Sequence, residues 1–200
     1  MMAEKRQKIP RIKQSPKLPA QTRRDQLLKA AQTLFIKKGY RATSTEAIAR
    51  RAGLTKGALY FHFKSKEDIL CELLKRAADQ FAASFESTSS IRLSPGDILA
   101  HLQEIDARRN VPKSRHSLDL RAEVLKLPRI RAHVNKVVCR AIDVVAASLD
   151  ARYGRTKKQR RELAILIFSV YDGLTLRKLM SPDLIDIDKQ IQRFASLFER

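Results

Sequence analysis

Residues 43–66 read TSTEAIARRAGLTKGALYFHFKSK, and the fold is decided there. Thr43 followed three residues later by Glu46 is the pattern of a capping box, which predicts a helix to about Arg51. Ala47, Ile48 and Ala52 give that helix one small apolar face. Gly53 stops it, as a glycine just past a helix end does. Thr55 can cap a second, short helix over Lys56–His62, with Leu59 and Phe63 one turn apart to hold it against the first. Two short helices joined by a tight glycine-containing turn form a helix-turn-helix.

The second helix has the chemistry of a base reader. It opens on Lys56, Gly57 and Ala58, one long cation and two residues with almost no side chain. A lysine there reaches guanine O6 and N7, and an alanine methyl meets a thymine methyl. Tyr60 and His62 offer groups that bond phosphate. Ser65 with Asp68 marks another helix start, and Lys66 in its first turn suits a phosphate. Any one of these residues reads equally well as part of a plain amphipathic helix; the whole arrangement does not.

The stretch FIKKGYRATSTEAIARRAGLTKGALYFHFKSKEDIL, residues 35–70, resembles the TetR family of bacterial transcription regulators. The marks are Gly39-Tyr40, Thr43 to Ile48, Ala52-Gly53, Lys56-Gly57, Leu59 to Phe63 and Lys66. The chain departs from many members at Phe61, which lacks the hydroxyl of a second tyrosine. Chemistry and resemblance together give the expected DNA contacts: Thr43, Ser44, Thr45, Thr55, Lys56, Gly57, Ala58, Tyr60, His62 and Lys66.

The rest of the chain is consistent with such a head on a larger body. Forty-one Lys and Arg against 21 acids give a net charge of +20, which favours a polyanionic partner. No apolar run is long enough to span a membrane, and the basic N-terminus lacks the apolar core of a secretory signal, so a cytoplasmic protein is expected. Cys71 and Cys139 fall in apolar helical patterns and read as buried free thiols. Residues 1–21 form a basic arm with Pro10, Pro16 and Pro19, expected to be disordered in the free protein and to add affinity for DNA. Residues 22–66 are the expected DNA-binding domain, opening with a cap at Thr22 and Asp25; residues 67–200 are the expected ligand-binding and dimerisation domain.

Periodicity and caps predict an all-α chain of about nine helices, the head joined to the body by a long helix from Ser65 to about Phe85. That helix reads as the one element able to carry a change between them. Body helices are expected over 95–109, 117–126, 128–153, 157–180 and 186–199, with a loop at 87–90. LAILIFSVY, residues 163–171, is apolar on nearly every side, as in a helix buried all round. One subunit has too few helices to cover it together with 186–199, so a homodimer is expected through Leu163, Ile167, Phe168, Tyr171, Ile191, Phe194 and Phe198.

The resemblance also implies a pocket in the body for a small-molecule effector, placed by position at Phe81, Phe85, His101, Ile105, Leu118, Glu123, Val137, Ile142, Tyr171 and Asp172. It implies a repressor released from a near-palindromic operator in double-stranded DNA. His62, His101, His116 and His133 are scattered without metal-ligand spacing, so no metal or cofactor is expected. No nucleophile–base constellation or phosphate-binding glycine loop supports an enzyme. The rival reading is a weakly selective DNA binder driven by charge, which a specificity ratio at fixed salt would distinguish.

Overall fold

A computed structural model of the chain describes residues 19–86, 92–109, 122 and 124–199. Most of the basic arm, the loop at 87–90, and most of the helix expected over 117–126, with Leu118 and Glu123, lie outside the described residues. The described residues are all-α apart from a short 3-10 turn and one isolated bridge, Leu93 to Leu149. The helices are α1 (Ala20–Lys38), α2 (Thr45–Arg51), α3 (Lys56–His62), α4 (Lys66–Glu86), α5 (Pro95–Arg109), α6 (Pro128–Ser148), α7 (Lys157–Met180) and α8 (Ile187–Ala195).

Helix ends follow local chemistry, with small shifts. Ser44, not Thr43, caps α2, its hydroxyl accepting from the Ala47 N–H at 3.1 Å. Thr55 caps α3 in the same way at 3.1 Å. Such a cap contributes about 1 kcal/mol. Gly53 takes the left-handed backbone (φ 68°) that an L side chain resists, and so ends α2. Thr22 caps nothing, because α1 already starts after Pro19, whose carbonyl accepts from the Arg23 N–H at 3.2 Å. Ser94 and Asp97 cap α5 reciprocally, and Thr156 with Gln159 forms a full capping box on α7. The helix expected to reach Tyr153 stops at Ser148, because Leu149 turns extended and its neighbour Asp150 donates to the Leu93 carbonyl at 3.0 Å. Residues 151–153 are the 3-10 turn, and the last helix is shorter than expected.

Two apolar cores result. The head core gathers Leu27, Leu28, Leu34, Phe35, Ile48, Leu59, Phe63, Ile69 and Leu70 from α1 to α4. The body core gathers Phe81, Phe85, Ile98, Leu99, Leu102, Ile142, Val145, Leu149, Ala164, Ile167, Tyr171 and Ile191. Helix α4 joins them as expected, but it is not alone. Ile130 at the start of α6 is fully buried in the head core, while Ile142 and Val145 further along α6 belong to the body core. Helices α4 and α6 therefore run side by side and in the same direction from head to body. Arg129 pairs with Asp68 at 2.5 Å, and Arg140 with Asp79 at 2.6 Å. Both helices advance eleven residues between these pairs, so the register is constant. Cys71 is half-buried, its thiol pKa pushed up by desolvation. Cys139 departs from expectation: it lies on the exposed side of α6.

Candidate nucleic-acid interface

Burial of Leu59 and Phe63 fixes which side of α3 faces out. At 100° per residue, Gly57 and Phe61 then point away from Leu59, Tyr60 lies about a quarter turn from it, and Lys56 stands at the helix start on the same side as Tyr60. All four are exposed, and Phe61 is the most open large apolar side chain described, at 81%. Ala58 and His62 flank this face and are half-buried. Sequence reading passed over Phe61 because it lacks a hydroxyl; the helical position of Leu59 and Phe63 could have placed it. An exposed phenylalanine beside a glycine suits a thymine methyl rather than a phosphate.

Four expected contacts need correcting or refining. Thr43 is buried, and its hydroxyl donates to the Gly39 carbonyl at 2.8 Å, so it braces the loop before α2. Lys66 turns inward. Its ammonium donates to the carbonyls of Tyr40 (2.8 Å), Thr43 (2.9 Å) and Arg41 (3.4 Å) and lies 4.4 Å from the Tyr40 ring centre. Three donors on three carbonyls leave nothing for a phosphate. Ser44 and Thr55 are exposed but accept the capping N–H groups, leaving each only its hydroxyl proton to offer.

Helices α2 and α3 meet at this surface through charge. Lys56 forms an ion pair with Glu46 of α2, and both side chains are more than half exposed. The hydrogen bond from Lys56 is the largest cause holding the Glu46 carboxyl down to about 2, and Glu46 in turn raises the Lys56 pKa. The Tyr60 hydroxyl lies 3.2 Å from Thr45 Oγ1, and the Lys56 ammonium 5.9 Å from the Tyr60 ring. Behind the surface, Arg24 of α1 donates to the His62 carbonyl at 2.9 Å, lies over the Phe63 ring at 4.3 Å and pairs with Glu72 of α4 at 3.3 Å. This arginine fixes the end of α3 to the base of α4.

Residues 27–73 match the family model described as bacterial regulatory proteins, tetR family. This head is therefore similar to the heads of TetR-family regulators. The repressor KstR2 of Mycolicibacterium smegmatis is 36% identical over 99 residues, 47% of this chain and 48% of KstR2. The chain thus spans about half the length of that relative. The regulator AcrR of Shigella flexneri is 25% identical over 194 residues, 90% of this chain and 89% of AcrR. A regulator of Saccharomonospora viridis in complex with choline shares the fold, with a TM-score of 0.68 at 22% identity over 90% of this chain and 97% of its own. So does FadR of Bacillus subtilis in complex with stearoyl-CoA, with a TM-score of 0.62 at 21% identity over 86% of this chain and 96% of its own. These relatives are regulators rather than enzymes by name.

The body residues separate into two groups. Phe81, Phe85, Ile142 and Tyr171 are packed into the body core, and the Tyr171 hydroxyl donates to Asp106 at 2.7 Å and to the Leu102 carbonyl at 3.2 Å. His101 sits beside them, its ring edge-on to Phe85 and its Nε2 3.3 Å from Ser84 Oγ. Val137 is half-buried on α6. Ile105 lines an open groove of about 600 Å³ between α1, α4 and α5, with Arg76, Ser84 and Arg108. Asp172 does not join the group, because it is exposed on the outer side of α7.

The expected dimer residues need the larger correction. Ile167, Tyr171 and Ile191 are buried in the body core, which leaves them little surface to offer a partner. Leu163, Phe168 and Phe194 pack partly on the same core, and Phe198 on Phe194 and Tyr153. An apolar run cannot say which side its own body takes. The side left outside carries Leu166 (53% exposed), Ser169, Gly173, Leu176 and Met180 (65% exposed), spaced three and four residues apart. Nothing lies within 4 Å of a Cβ placed on Gly173. Among the described residues no helix is long and apolar enough to cross a membrane, and no side-chain group is arranged for a metal.

Proposed function

We propose that the chain is a homodimeric transcriptional repressor of the cytoplasm that binds a near-palindromic DNA site and leaves it when a small molecule enters the body. The observation that carries this reading is the outer face of α3, where Lys56, Gly57, Tyr60 and Phe61 stand clear of the head core. A face with one cation, one glycine and two aromatics suits base edges in a major groove. The arm of residues 1–21 adds non-specific affinity through its charge. Ser44, Thr45, Thr55 and His62 line the edges of the face, where phosphates run.

Dimerisation is supported by the outer stripe of α7. Leu166, Leu176 and Met180 are exposed around Ser169 and Gly173, whose small side chains let two helices approach closely. A two-fold dimer of this kind presents two α3 helices to two half-sites. An effector is supported by the choline and stearoyl-CoA complexes of two proteins with this fold. Its site is proposed among Phe81, Phe85, His101, Ile105, Ile142 and Tyr171, where aromatic packing meets the polar atoms of His101 and Tyr171. Ligand entry there must part α4, α5 and α7, a shift between two states that DNA binding also biases.

Selection of bound duplexes from a random pool, followed by footprinting, tests the reading. A palindromic consensus bound at least about a thousandfold tighter than random DNA at fixed salt is expected. Equal affinity for both would leave a charge-driven binder, for which the net charge of +20 suffices.

A further inference from the structure

A protein with a net charge of +20 binds any DNA, so a regulator built on it has to keep its cations from spending themselves on phosphates. Among the expected DNA contacts, Lys66 is withdrawn onto carbonyl oxygens. Lys56 is treated differently. It stays at the surface of α3, paired to the carboxylate of Glu46 on α2 and flanked by the Tyr60 ring. Tyr60 in turn meets Thr45, the residue next to Glu46. An acid on a surface that faces a polyanion is otherwise repelled, and its place there calls for a role.

We infer that Glu46 is a specificity-determining positioning residue: it makes Lys56 a reader of guanine rather than a binder of phosphate. The inference rests on the DNA reading above. An ammonium has three N–H donors. With one held by Glu46, two remain, the number needed for guanine O6 and N7. The Glu46–Lys56 pair is neutral as a unit, so docking it against phosphate releases no counterion. Moving Lys56 alone onto a phosphate would leave the Glu46 carboxylate unpaired beside the polyanion. Random DNA thus gains nothing from Lys56, while a guanine at the right place does.

The full-length chain tests this with four forms: wild type, Glu46→Gln, Lys56→Ala and the double variant. Each is titrated with the selected duplex and a random duplex over a salt series. Glu46→Gln is expected to tighten random DNA, lowering the specificity ratio about threefold to tenfold. The log–log salt slope on random DNA should steepen by about one. The preference at the base pair read by Lys56 should relax. None of these changes should appear when Glu46→Gln is added to Lys56→Ala, since the effect passes through the lysine. Both side chains are exposed, so thermal unfolding should move only slightly. Equal tightening on both duplexes, with or without Lys56, means that Glu46 only repels phosphate and overturns the inference alone. A wild-type chain that enriches no sequence overturns the DNA reading, and this inference with it.

Discussion

The outer face of α3 and the outer face of α7 are both open to water, but they are made of opposite materials. The first carries a lysine, a glycine, a tyrosine and a phenylalanine, with an acid alongside. The second carries Leu166, Leu176 and Met180 around small residues. The α3 face can stay wet between partners and release a charged one when salt rises. The α7 stripe loses free energy for as long as it stays uncovered, at about 25 cal/mol for each Å² of apolar surface. On the proposed reading, a transient partner suits the first face and a lasting partner the second.

The strongest test of the contrast uses two neighbours on α7. Ile167 is fully buried and Leu166 is 53% exposed. Ile167→Glu should therefore unfold the body, because an unpaired buried carboxylate costs several kcal/mol, roughly 4 or more. Leu166→Glu should leave circular dichroism and melting of the subunit intact while light scattering shows monomers. A folded Ile167→Glu chain, or a Leu166→Glu dimer, would place α7 the wrong way round.

Next in size, Lys66→Ala should destabilise the head by about 1–3 kcal/mol, since three carbonyls lose their charged donor. Urea unfolding measures this. The salt dependence of DNA binding should stay as it is; unchanged stability with a slope shallower by about one would return Lys66 to the phosphates. Lys56→Ala should do the reverse. It should leave stability alone, cost about 1–3 kcal/mol on the selected duplex and relax one or two base pairs in a new selection. Phe61→Ala should cost about 1 kcal/mol and relax preference at a thymine. The smallest effect is a titration. Glu46 has a folded pKa of about 2 against an ordinary value of 4.5, so its pairing is intact above 4.5 and lost as pH falls through 2. Carboxyl NMR should find that midpoint, and Lys56→Ala should return it towards 4.5. A midpoint unmoved by Lys56→Ala would mean that the pair does not persist in solution.

Much of the molecule could be read from neighbours in sequence. Gly53, Thr55, Ser65 and the Thr156–Gln159 box act within one turn, so their positions announce the helix ends. What stayed hidden was long-range. The carbonyls held by Lys66 lie 23 to 26 residues earlier, and no spacing advertises a side chain that folds back on a loop. Leu149 leaves the helix because of Leu93, far away in the chain. Residues 163–171 are apolar all round, so only packing could show that Ile167 faces home and Leu166 faces away. The α3 face fell between these cases: its start was legible at Lys56 and Gly57, while Glu46 gained its place only when two helices met.

The paired helices α4 and α6 have a mechanical consequence. Asp68–Arg129 and Asp79–Arg140 tie two rods together at points about 16 Å apart along each. Two bars pinned at both ends form a parallelogram linkage, which shears and does not pivot. A head carried on such a linkage is displaced without being tilted. A disturbance at the body end would therefore alter the span between the two α3 helices of a dimer while each kept its angle to the groove.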